Sequence, residues 1–169
     1  MRTQIVRVFS LLIWSTSFCV QAEPANGADD LTFEGQLLLN LHNAYSMEIS
    51  AGQLAMTRGT SVAIRQFGSD LVKDLRVADT QILALAAKRN VSVTPDVDGE
   101  HLRSLASLTG DAFDHAFVLM TLDDHTKTLA MLKLGQARIN NDAVRALLET
   151  LRPTLENQRD TAATLSKGS

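Results

Sequence analysis

Phe117-Val-Leu-Met-Thr-Leu-Asp-Asp124-His125 is the stretch on which the architecture of this chain turns. The same framework occurs upstream: Phe67 stands seven residues before Asp74, as Phe117 stands seven before Asp124. Seven residues are close to two turns of an α-helix, so each Phe–Asp pair shares one helix face. A carboxylate on an apolar face costs several kcal/mol unless it is paired, protonated or bound to a metal. Both copies therefore mark a helix whose buried face carries chemistry as well as packing.

Outward from this stretch, apolar residues recur at three- and four-residue steps through most of the chain. A helix is predicted from Leu31 to about Arg58, with Leu37, Leu41, Ala44, Tyr45, Ala51, Gly52 and Ala55 on one face. Gly59-Thr60-Ser61 ends it and caps the next. The second helix runs from about Ser61 to Asn90 on a stripe of Ile64, Phe67, Leu71, Ala78, Ile82 and Leu85. Val91-Ser-Val-Thr-Pro95 is β-branched and proline-stopped, so no helix crosses it. Gly99 to Leu108 makes a short helix, packed as a flap on the core. The third long helix spans Thr109 to Asn140 on Phe113, Phe117, Met120, Met131 and Leu134. Asn140-Asn-Asp142 recaps a fourth, which carries Val144, Leu147, Leu148, Leu151, Leu155, Ala162 and Leu165. Pro153 lies inside that pattern, and the unchanged stripe beyond it predicts a kink near Glu149 to Pro153 without a break. The fold class is all-α: a four-helix bundle with a short extra helix in the middle connection.

The 5% aromatic content and only three prolines agree with helices rather than sheets. Residues 1–22 read as a signal peptide: Arg2 and Arg7 precede an apolar Val8 to Val20, and Val20-Gln-Ala22 offers a cleavage site. Residues 23–30 read as a disordered leader and 31–166 as the bundle domain. Phe18 before Cys19 argues against lipidation, and cleavage after Ala22 removes this single Cys, and thiol chemistry with it. Cleavage also removes two of the 16 Lys+Arg and none of the 19 Asp+Glu, moving the net charge from −3 to −5. An acidic chain argues against nucleic acid as a partner. No apolar segment of the mature chain is long enough to predict a transmembrane span.

Advancing each helix by about 100° per residue puts one polar residue in the middle of each apolar face. These are Glu48, Asp74, Asp124 and Gln158. Three arrangements would account for them. The first is a metal site of Glu48, Asp74, Asp124 and His125, since carboxylate-rich bundles hold iron or manganese this way and His also suits zinc. The second is a buried polar network built on a protonated acid. In the third, the acids only rim the core. The two-metal pattern wants acid-x-x-His steps, and no predicted long helix contains one. Asp98-Gly-Glu-His101 has the step but lies beside the proline-stopped loop. His125 sits about 100° from the stripe centre, at its edge. His42 and His115 fall on flanks and are expected in solvent or at caps. Tyr45, one turn before Glu48, is placed to donate to it. Gly-rich phosphate loops, nucleophile elbows and zinc Cys/His spacings are missing from the sequence.

The chain resembles the bacterial family known as domain of unknown function 4142. The resemblance rests on Glu48 before Gly52-Gln-Leu-Ala55, Val62, Phe67 and Val72-Lys-Asp74. Further matches are Val91 to Pro95, Leu105, Gly110-Asp-Ala-Phe113-Asp114, Asp123-Asp-His125-Thr-Lys127 and Leu151-Arg-Pro-Thr-Leu155. It implies an exported, ferritin-like four-helix bundle of unestablished function, in the periplasm or associated with the outer membrane. It also implies an Asp-His pair in helices two and three and a late His in helix four. This chain keeps only Asp124-His125, with Leu75 and Gln158 at the other two places. The expectation is a non-catalytic binding or interaction protein of the envelope, without a cofactor and acting on a protein or envelope partner. The alternative is a ferritin-like metal-binding or redox protein with a reduced carboxylate/His site.

Overall fold

The computed structural model describes residues 27–93 and 99–168, with side chains from residue 33 onward. The expected signal peptide and residues 23–26 of the leader lie outside these residues, as do Thr94, Pro95 and Asp98 of the middle connection. Four long helices and one short one make up the described chain: α1 Gly27–Arg58, α2 Val62–Lys88, α3 Gly99–Ser107, α4 Gly110–Gln136 and α5 Asp142–Leu165. The first of them begins inside the stretch expected to be leader, at Gly27 rather than Leu31.

Local chemistry sets the ends of these helices. Ser61 has extended backbone and its hydroxyl accepts from the Ile64 N–H at 3.1 Å, starting α2. Asn141 does the same for α5, accepting from the N–H groups of Ala143 and Val144 at 3.1 Å each. The end of α2 is a Schellman turn. Asn90 takes a left-handed φ of 55°, the Val91 N–H donates to the Ala86 carbonyl at 2.9 Å, and the Asn90 N–H donates to Ala87 at 3.2 Å. Pro153 lies inside α5, which runs unbroken from Asp142 to Leu165.

The bundle is built from two hairpins, α1 with α2 and α4 with α5, joined through α1–α4 and α2–α5 contacts. Gly52 and Gly68 allow the first hairpin to close. A Cβ on Gly68 would lie 2.7 Å from the Gly52 carbonyl oxygen, and one on Gly52 would lie 2.8 Å from Val72 Cγ2. Between hairpins, α1 and α4 run antiparallel. Glu34 meets Asn141, Leu37 meets Gly135, Glu48 meets His125, and Thr60 meets Asp114, so each step along α1 is matched by a step back along α4. α3 docks as a flap through the buried Leu105, and the Arg58 guanidinium donates to its Ala106 carbonyl.

Three phenylalanines meet in the core between α2 and α4. Phe67 and Phe117 touch at 5.8 Å between ring centroids, and Phe113 stacks on Phe117 at 6.2 Å. The two Phe residues that begin the repeated framework are thus in contact, as equivalent positions of two packed hairpins. Leu71 and Thr121 follow one turn on, and Leu75 and His125 one turn further, all of them buried.

Candidate functional site in the bundle core

Past the aromatic layer the core turns polar. Glu48 of α1 and His125 of α4 are both fully buried, and Gln158 of α5 is 3% exposed. Asp74 of α2 and Asp124 of α4 are only half-buried. Two of the four central polar residues expected from the stripes, Glu48 and Gln158, therefore point inward as the helical phase required. Asp74 and Asp124 stand at the edge, and the residues after them, Leu75 and His125, hold the inward positions.

The error in phase has a physical cause. On α4 the buried face runs through Phe113, Asp114, Phe117, Val118, Thr121, His125, Thr128, Leu132 and Gly135. Four of these are polar, so they add nothing to an apolar stripe. Met120 and Met131 are only half-buried and Leu134 is 73% exposed, yet they pulled the stripe toward themselves. The true face is turned by most of one residue step, about 100°.

His125 joins three helices. Its Nε2 lies 2.8 Å from Gln158 Oε1, and Gln158 Nε2 donates to Asp74 Oδ2 at 3.3 Å. Since Gln158 donates through its nitrogen, its oxygen accepts, which places a proton on His125 Nε2. The other ring nitrogen, Nδ1, lies 3.1 Å from the Thr121 carbonyl and 3.0 Å from Glu48 Oε2. The Glu48 contact is close but off the ring-nitrogen axis. Both Glu48 oxygens remain buried without a hydrogen-bond partner, as does Asp124 Oδ2.

Burial sets the charge of this group. It pushes the Glu48 carboxyl well above the usual range, and Asp124 nearby pushes it further. It holds the His125 imidazole below its ordinary value, against the lift from Gln158. Burial raises Asp124 too, with Asp123 adding to the effect. The Tyr45 phenol, buried one turn before Glu48, is raised by burial first and Glu48 second. Burial thus favours the uncharged form of both Glu48 and His125. The cluster reaches the surface at Asp74, which lines a shallow groove of about 230 Å³ between α2 and α5. Among the described residues, no three His, Cys, Asp or Glu side chains converge where they could hold a metal ion.

Two buried polar ties lie outside the expected set. His42, expected in solvent or at a cap, is 6% exposed and its Nδ1 lies 2.7 Å from Asp79 Oδ1, linking α1 to α2. Glu34 is 2% exposed; it accepts from the Arg89 guanidinium and, at 3.0 Å, from the Asn141 N–H. It thereby holds the start of α1 to the end of α2 and the cap of α5. The signal for both was available: each lies within one helical turn of Leu37, Leu38 or Leu41, all of them buried. As expected, His115 is exposed. Asp123, also exposed, pairs with Lys127 at 2.5 Å.

No curated protein matches the chain. Among solved structures, the chain is similar to the crystal structure of a DUF305 fragment from Deinococcus radiodurans. That likeness has a TM-score of 0.71 at 15% identity and covers 81% of this chain and 97% of that one. At that identity it speaks for the fold alone, an all-α helical bundle. Residues 20–165 match the family model DUF4142, a domain of unknown function. With nearly the whole bundle inside that match, the chain belongs to the DUF4142 family.

Proposed function

We propose that this protein is a non-catalytic binding or interaction protein exported to the bacterial envelope. One observation carries the reading: His125 is engaged through Gln158 with Asp74, and Glu48 and His125 at the centre are sealed from solvent. A reaction centre needs a side chain that can meet a substrate, and neither Glu48 nor His125 is accessible to one. What the bundle presents outward is surface, and its partner is a protein or another component of the envelope. Among the described residues, no helix is long and apolar enough to cross a membrane.

A second reading, a ferritin-like metal or redox site, draws on the orphaned oxygens of Glu48 and Asp124, which are the groups a cation would satisfy. The donors present do not fit a two-metal centre. That centre takes ligands from all four helices. Here Leu75 fills the inward position of α2, and Gln158 on α5 is spent on His125 and Asp74.

Metal analysis separates the two readings. The mature protein is purified without chelators, its metal content measured, and its melting followed with and without excess iron, manganese or zinc. The binding reading expects no stoichiometric metal and no metal-linked rise in Tm. Bound metal together with a rise lost in Glu48→Gln would replace it by the second reading. Export is tested by fractionating cells that express the full chain. A mature form beginning at Glu23 outside the cytoplasm is expected, and an uncleaved cytoplasmic product would overturn export.

A further inference from the structure

An apolar groove of the described surface lies away from the polar core, between α1 and α4. It has a volume of about 470 Å³ and is floored by Phe33 and Leu37 of α1 and Met131 and Leu134 of α4. Leu134 is 73% exposed, an unusual condition for a large aliphatic side chain in the middle of a groove. Gly135 lets the two helices approach there: a Cβ at that position would lie 3.3 Å from Leu37 Cδ2.

The charges along this groove are one-sided. Its two charged lining residues, Lys127 and Arg138, are both cations, in a chain whose net charge is −3. They are not equivalent. Lys127 is already paired with Asp123 at 2.5 Å. The Arg138 guanidinium lies 4.1 Å from the centre of the Phe33 ring, and no carboxylate among the described residues pairs with it. The groove therefore offers an apolar track with, among the described residues, one cation not paired to a carboxylate, held by an aromatic face at one end. On α4, Lys127 to Gln136 spans about 14 Å at 1.5 Å per residue, and Arg138 lies in the turn just past the helix end. An extended alkyl chain advances about 1.25 Å per carbon, from bonds near 1.5 Å and tetrahedral angles. The track thus matches roughly a dozen carbons.

We propose that this groove binds a long-chain carboxylate, with the alkyl tail along Leu37, Met131 and Leu134 and the carboxylate on Arg138. An acidic helix with anions at both ends would leave one of them facing the already paired Lys127. A single-headed amphiphile matches the one lining cation that has no carboxylate partner among the described residues. Guanidinium also meets a carboxylate with two parallel hydrogen bonds, which an ammonium cannot do. The proposal deepens the binding reading above and is silent on export and on metal.

The test is calorimetric titration of the purified mature protein with dodecanoate below its micellar concentration. One saturable site per chain is expected. Arg138→Gln should weaken it at least tenfold, Lys127→Gln less than threefold, and Leu134→Asp should abolish it. All three side chains are exposed, so circular dichroism melting should show the variants folded as the parent. Dodecyltrimethylammonium, with the same tail and the opposite charge, should bind at least tenfold more weakly. No saturable site, equal binding of the two head groups, or indifference to Arg138→Gln would overturn the proposal. So would concentration-dependent self-association abolished by Leu134→Asp, which would assign the groove to a second copy of the chain. Each result is separate from the metal and fractionation outcomes, so this proposal can fail while the binding reading stands.

Discussion

His125 and Gln158 meet at 2.8 Å across the α4–α5 interface, both buried, with Gln158 passing the contact on to Asp74 of α2. A buried imidazole needs a partner for each nitrogen, and a buried amide needs one at each end. Each satisfies part of the other's need, so the two are energetically coupled. His125→Leu would strand Gln158 Oε1 and leave Glu48 without its nearest polar neighbour, and should cost about 2–4 kcal/mol. Gln158→Leu alone should cost about 1–3 kcal/mol. The double variant should cost at least about 1 kcal/mol less than the two losses added together. Urea denaturation of the four proteins measures this, and simple additivity would show that the contact contributes nothing specific.

The protonation of Glu48 makes stability depend on pH in a predictable direction. Its folded pKa is raised above the ordinary 4.5 by burial and then by Asp124. The folded state therefore favours the protonated acid. That contribution is complete below pH 4.5 and is lost as pH rises through the folded value. His125 runs the other way: lowered from 6.5 by burial, it contributes above 6.5 and loses that contribution as pH falls through its folded value. Glu48→Gln mimics the neutral acid at every pH. Relative to the parent, this variant should gain stability steadily as pH rises above 4.5. Urea midpoints at pH 4, 6 and 8 would show the trend, and a difference constant with pH would mean that Glu48 does not titrate in that window.

Gly68 is the tightest point of the α1–α2 hairpin. An added methyl would press on the Gly52 carbonyl at 2.7 Å and on Ala55 Cβ at 2.8 Å. Neither contact is the flexible end of a side chain, so the helices must separate. Ala is the better helix former by about 1 kcal/mol, yet overpacking of this kind costs about 1–3 kcal/mol. Gly68→Ala should therefore lower Tm, whereas propensity alone would raise it, and the sign of a single melting experiment decides between them.

Asn90 ends α2 with a left-handed φ of 55°. Glycine adopts that conformation without Cβ strain, offset in part by its freer unfolded chain. Asn90→Gly should stabilise the protein by about 0.5 kcal/mol, read as a small rise in the urea midpoint. A fall would mean that the Asn90 side chain holds something the backbone turn does not account for.

The long helices and their punctuation were legible because they rest on local chemistry. Ser61 and Asn141 cap where a short polar side chain precedes an apolar run. Pro153 was readable as a kink without a break, because Leu151 and Leu155 keep the stripe on either side of it, and α5 does run through it unbroken. Gly59 was read as a conformational stop, but its constraint is space. A Cβ there would lie 2.8 Å from both the Ala55 carbonyl oxygen and Ile64 Cγ2, and the left-handed glycine is Gly110, at φ 62°.

The inward-pointing acid of α1 and amide of α5 followed from the sequence by itself, because their neighbours are uniformly apolar and fix the helical phase. So did the loss of symmetry between Leu75 and His125 within the repeated framework. Only the tertiary structure decided that these two, and not Asp74 and Asp124, hold the centre. A helix face is chosen by what packs against it, and α4 buries Asp114, Thr121 and His125 because partners stand opposite or one turn away. Hydrophobicity cannot register a polar residue that is buried for the sake of a hydrogen bond. The pairings of His125 with Gln158, His42 with Asp79, and Glu34 with Arg89 join residues between 33 and 55 positions apart. Pairings of that kind form only when the two helices of each hairpin pack against one another.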